Sequence, residues 1–147
     1  MLSFLVILVI AAAVVFWAVG IYNRLVRLRN TVEEGWSGID VQLKRRADLI
    51  PNLLETVKGY MDHERDLLTE VTELRARSAA AGNIADKVKL EGELSRSLAN
   101  LFAVAENYPE LRANQNFMQL QSQLEEIEEQ IQLARRYYNG TVRELTI

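Results

Sequence analysis

The alternation of apolar and polar positions changes character after about residue 22. From Leu2 to Ile21 every residue is apolar or small except Ser3. That is about twenty in succession, the length a helix needs to cross a hydrocarbon core roughly 30 Å thick. Thirteen of these positions are Leu, Ile, Val or Phe, and together they favour the bilayer by about 4 to 8 kcal/mol on an insertion scale. Trp17 and Tyr22 suit the headgroup boundary. The pattern predicts a transmembrane anchor over residues 1–22. A cleaved signal peptide is the competing reading, with Ala11 to Ala13 as its processing site, but nothing basic precedes the run and it continues well past the alanines.

Beyond the anchor the apolar residues recur at steps of three and four. The clearest series starts at Phe117 and continues through Leu120, Leu124, Ile127, Ile131, Ala134, Tyr138, Thr141 and Leu145, a coiled-coil-like seam. Asn114 or Asn116 stands where a short side-chain oxygen can cap its first turn. A second helix is predicted over Ile84 to Ala105, with Ile84, Val88, Leu94, Leu98, Leu101, Phe102 and Ala105 on one face. It ends before "ENYPELRAN", where Pro109 disfavours helical geometry at Tyr108. The turn before it falls in "RSAAAGN", around Gly82 and Asn83.

The first helix after the anchor is the longest. Leu25, Leu28, Val32, Trp36, Ile39, Leu43, Ile50, Leu53, Val57, Tyr60, Leu67, Val71 and Leu74 keep one period, with Arg46 and Glu64 at stripe positions. That period passes straight through Pro51, which removes an amide donor and clashes with the carbonyl of Ala47 at a cost of about 3 kcal/mol. The matched register on both sides predicts a continuous helix kinked at Pro51. "GWSG", Gly35 to Gly38, is a second weak point where the helix could divide. The fold class predicted is all-α: an N-terminal transmembrane helix, then an antiparallel bundle of three long helices, or four if the first breaks near Gly35–Gly38. The bundle occupies residues 23–147 as a cytoplasmic domain.

Charge adds orientation. Arg24, Arg27 and Arg29 follow the apolar run within reach of lipid headgroups, each worth about 1 kcal/mol at an anionic surface. By the positive-inside rule they place the C-terminal part in the cytoplasm and the N-terminus outside, in a single pass of the inner membrane. Lys44, Arg45 and Arg46 lie about 35 Å beyond the bilayer along a straight helix. There Asp40, Lys44 and Asp48 read as an i,i+4 ladder facing water, in preference to a site for lipid or an acidic partner. A formal net charge of -3 argues against nucleic acid as a partner.

The search for chemistry is short. His63 is the only histidine, cysteine is absent, and Tyr60 stands where a di-iron Glu-x-x-His motif needs its Glu. Glu125, Glu126, Glu128 and Glu129 fall off the seam and read as a solvated face. No glycine-rich phosphate loop or nucleophile elbow occurs. The expectation is a protein that is not an enzyme, with no cofactor, no metal site and no catalytic residue.

Two long stretches carry a resemblance. "YNRLVRLRNTVEEGWSGIDVQLKRRADLIPNLLETVKGYMDHE" and "AVAENYPELRANQNFMQLQSQLEEIEEQIQLARRYYNGTVREL" are similar to the two signature blocks of the bacterial LemA family. The resemblance implies a single-pass membrane protein with an outer N-terminus and a cytoplasmic helical domain, and it implies no catalytic residues. Gly35 and Gly38 stand where such sequences more often carry better helix formers. The family usually continues into an aromatic and proline-containing tail beyond the position of Ile147, so a function seated there is not expected from these residues.

Helix lengths then suggest assembly. A helix from Tyr22 to Arg77 would run about 84 Å, the next only about 33 Å and the last about 48 Å at 1.5 Å per residue. On that count the row Leu25, Leu28, Val32, Trp36 and Ile39 lies beyond the returning helix and is expected to form an oligomer interface. The function expected is a non-enzymatic, membrane-anchored helical scaffold that self-associates into a homo-oligomer, with the lipid bilayer as its other partner. The alternative is a monomeric regulatory adaptor that binds a membrane protein such as a sensor kinase or protease.

Overall fold

The computed structural model describes residues 1–146. Ile147, the last residue of the cytoplasmic domain assigned above, lies outside the described residues. Five helices follow in order: α1 (Leu2–Lys58), α2 (Arg65–Ala79), α3 (Ile84–Ala105), the short α4 (Pro109–Arg112) and α5 (Gln115–Thr146). The chain divides into two compact units, Asp40–Gln132 and Met1–Ile39 with Leu133–Ile147, and α1 and α5 contribute to both.

Asp40–Gln132 is a helical bundle. Short connections make successive helices antiparallel neighbours, so the end of α1, then α2, α3 and the start of α5 run up, down, up and down. Their apolar stripes meet in one core, in which Ile50, Leu53, Val57, Met61, Val71, Leu101 and Leu111 have no exposure at all. Phe102 of α3 meets Phe117 of α5 with ring centroids 6.1 Å apart. The predicted cap at Asn114 forms, the Phe117 amide donating to Asn114 Oδ1 at 3.0 Å, and the turn residue Asn83 caps α3 as well, its Oδ1 accepting from the Asp86 amide at 2.8 Å.

The all-α bundle is as expected, but its fourth helix arises at a different place. α1 continues through both Gly35–Gly38 and Pro51 and stops at Lys58. The single helix expected as far as Arg77 is therefore corrected to α1 and α2, separated by Gly59 to Glu64. There the Met61 amide still donates to Val57 O at 2.9 Å and the Glu64 amide donates to Met61 O at 3.1 Å, a tight reversal. Met61 is fully buried inside that reversal, so the apolar period passes through a turn without interruption. Asn114 Nδ2 donates to Tyr60 Oη at 3.3 Å, tying the reversal to the connection before α5.

The second unit holds the apolar start of α1. None of that segment is buried, and by length and composition it is apolar enough to cross a membrane, as a signal sequence near an N-terminus also is. Beyond it, the 23–39 stretch of α1 packs on the last turns of α5. Trp36 meets Tyr138 edge to face at 5.8 Å between ring centroids. Gly35 lies buried at this crossing, where a Cβ would stand 3.4 Å from Tyr138 Cα and 3.5 Å from Thr141 Oγ1. A Cβ there makes ordinary van der Waals contact, and a side chain longer than alanine's would separate the two helices.

Candidate functional site

Three features of the fold are not explained by packing alone. The first is a polar layer inside the bundle. Arg46 is 1% exposed although it is charged, and burial of an ion is tolerated only when paired and hydrogen-bonded. One terminal nitrogen, Nη2, is paired with the Glu91 carboxylate and also donates to the Glu91 carbonyl at 3.1 Å. The other, Nη1, donates to Glu128 Oε2 at 2.7 Å and to Ser95 Oγ at 2.6 Å. Ser78 Oγ donates to the second Glu91 oxygen at 2.5 Å. Each of α1, α2, α3 and α5 thus supplies a group to one layer. Within this layer Arg46 Nε has no hydrogen-bond partner; among the described residues the buried Ser97 Oγ of α3 also has none. A buried pair of this kind adds little net stability but fixes which residues may sit opposite one another.

The apolar period places Arg46 on the stripe, whereas the charge pattern assigns the basic triplet around it to water. That assignment holds for Lys44, which pairs with Asp40 at 2.9 Å, and is corrected for Arg46. Asp40 also faces Lys87 at 3.6 Å. The hydrogen bond from Lys44, with the charges of Lys44 and Lys87, holds the Asp40 carboxyl below its ordinary 3.8 against partial burial.

The second feature is Pro51. A proline there leaves the Ala47 carbonyl without its usual donor. Arg75 of α2 fills the gap, its Nε donating to Ala47 O at 2.7 Å. The helix therefore continues through Pro51 because a side chain on a neighbouring helix takes the place of the missing amide.

The third feature is the row of apolar residues that follows the N-terminal apolar segment. Ile39 is 4% exposed within the chain itself, and Val32, Trp36 and Leu28 are half-buried. Part of the row expected to lie uncovered is covered, because α5 runs to Thr146 and reaches Gly35 and Trp36. Leu25 and Val26 stay exposed at 46% and 38%, as do Leu133 and Tyr137 at 49% and 55%. Arg24, Arg27 and Arg29 are exposed, and none of them forms an ion pair among the described residues. Among the described residues no group of three His, Asp or Glu is arranged to hold a metal ion.

The comparisons with known proteins point one way. The family model described as LemA family matches residues 35–147. Protein LemA of Metamycoplasma hominis (strain ATCC 23114 / DSM 25592 / NBRC 14850 / NCTC 10111 / PG21) is 26% identical over 125 residues, covering 84% of this chain. The chain spans 57% of the length of that curated relative.

Proposed function

Because this chain belongs to the LemA family, we propose that it is a non-enzymatic, membrane-anchored helical scaffold that self-associates at the bacterial inner membrane. The apolar start of α1 spans the bilayer with the N-terminus outside. Arg24, Arg27 and Arg29 lie at the cytoplasmic headgroups.

One observation carries the self-association. Outside its apolar segment, the unit formed by Met1–Ile39 and Leu133–Ile147 consists of two packed helical stretches. Two helices can bury one stripe each but cannot enclose a core. Leu25, Val26, Leu133 and Tyr137 accordingly remain exposed. A tethered neighbour presents the same surface in the same orientation at high local concentration, which favours a closed symmetric assembly over capture of an unrelated chain.

Light scattering of the full chain in mild detergent, together with crosslinking in native membranes, tests this. The expected result is an oligomer that Leu25→Gln, Leu133→Gln and Tyr137→Gln together dissociate with helix content unchanged. A wild-type monomer in detergent that also fails to crosslink in membranes would refute self-association and leave the monomeric adaptor as the better reading.

A further inference from the structure

In the unit of Met1–Ile39 with Leu133–Ile147, the two packed stretches carry opposite charge. Residues 30–39 of α1 hold two acids, Glu33 and Glu34, and no base, whereas residues 133–146 of α5 hold Arg135, Arg136 and Arg143 against Glu144. All of these are exposed, and none forms an ion pair among the described residues. On α5, Leu133, Arg136, Gly140 and Arg143 follow steps of three, four and three, a second stripe that is exposed throughout and lies away from Tyr138 and Thr141, which face α1. Trp36 meets Tyr138, and Gly35, one residue closer to the apolar segment, also reaches Thr141. The end of α5 therefore runs back toward that segment. Measured along the helices at 1.5 Å per residue, Arg136 stands about 4.5 Å further from the segment than Glu34, and Arg143 about 6 Å nearer to it.

Copies tethered in one bilayer stand parallel and at one height, so the acid of one copy falls between the two arginines of the next, within reach of both long side chains. Contact between like faces would instead set acid on acid or arginine on arginine, a repulsive arrangement. Every copy carries both halves of the match, which is the condition for a head-to-tail interface. Resting on the self-association proposed above, we infer that the copies join in that manner. The α5 stripe of Leu133, Arg136, Gly140 and Arg143 packs on the next copy's α1 face around Glu34, whose carboxylate sits between Arg136 and Arg143. Each copy gives one face to either side, and the assembly closes as a ring around the membrane normal.

The sequence has no cysteine, and a Cβ at Gly38, one turn from Glu34, or at Gly140 meets nothing within 4 Å, so single introduced cysteines can report the contact. Full chains carrying Gly38→Cys and Gly140→Cys, co-expressed and treated in membranes with a short bismaleimide, should crosslink to each other, and neither should crosslink to itself. One chain carrying both cysteines should give a ladder that continues beyond the dimer. Glu34→Arg should cut the yield at least about fivefold, and Arg136→Glu with Arg143→Glu in the same chain should restore it. Products joining position 38 to 38 or 140 to 140, a ladder that stops at the dimer, or no 38-to-140 product from a chain that is oligomeric in detergent would overturn the head-to-tail contact and leave self-association standing. An unchanged yield with Glu34→Arg would overturn the charge match on which the contact rests. A wild-type monomer in detergent with no crosslink of any kind in membranes would overturn self-association itself.

Discussion

The Asp40–Gln132 bundle and the unit of Met1–Ile39 with Leu133–Ile147 are made from the same two long helices, yet they solve burial differently. In the bundle two further helices close the core, and seven of its large apolar side chains have no exposure. In the other unit the crossing at Gly35 buries Ile39 and Thr141 but leaves Leu25 and Tyr137 about half exposed. The bundle is finished within one chain. The helix pair leaves apolar surface exposed, so the proposed association falls in the region that contributes least to the buried core.

Removing the bundle's buried cation should have the largest effect. Arg46→Met leaves Glu91 buried without its partner, at a cost of about 3 to 5 kcal/mol, read as a fall in the urea midpoint of the full chain in detergent. Arg46→Met combined with Glu91→Leu should recover most of the loss. If the double variant is no better than the single, the layer is not acting through its charge. Hydrogen exchange separates the two regions: amides of Leu53 and Leu101 should lose protection, while those around Trp36 should change little.

A smaller effect is expected at the proline. Arg75→Leu strands the Ala47 carbonyl, costing about 1 to 3 kcal/mol. In a Pro51→Ala background the new amide serves that carbonyl, so the same change should cost about 1 kcal/mol less. Additive losses in this double-mutant cycle would mean that Arg75 acts by packing alone.

The helix pair should respond in the opposite direction. A Cβ at Gly38 meets nothing within 4 Å, so Gly38→Ala should stabilise α1 locally by about 0.5 to 1 kcal/mol. Slower amide exchange over residues 36–42 would show it. Unchanged exchange would mean that this stretch is already as ordered as the bundle.

Least of all is expected at Asp40. Its carboxyl is held below 3.8 in the folded chain, so its contribution is present above that pH and is lost as pH falls through the lowered value. Asp40→Asn should cost about 0.2 to 0.5 kcal/mol at neutral pH, discounted because Lys44 is largely exposed, and nothing in strong acid. An equal cost at both extremes would assign the effect to hydrogen bonding and not to charge.

Much of the helical architecture was legible because it is written locally. The period from Phe117 to Thr141, the turn at Gly82 and Asn83 and the cap at Asn114 each depend on residues within a few turns. The reversal at Gly59–Glu64 was hidden because Met61 is buried within it, so a turn and a helix present the same apolar spacing. The polar layer was hidden for a different reason. Arg46 lies 45 residues from Glu91 and 82 from Glu128, and no neighbouring residue marks it as paired. Of the row predicted as an interface, Leu25 keeps the exposure such a role needs, whereas Ile39 does not, because coverage by α5 depended on where the chain reversed.

The bond that completes α1 at Pro51 also sets an order in time. Ala47 waits for a donor 28 residues further along the chain. At about 5 to 20 residues per second, that donor leaves the ribosome roughly 1 to 6 s later. Arg46 waits longer still, since Glu128 follows it by 82 residues, or roughly 4 to 16 s. A helix that reads as a single rod in the finished molecule is therefore born with one carbonyl and one guanidinium unclaimed, and the part of it that enters the bundle becomes rigid only as the later helices are made.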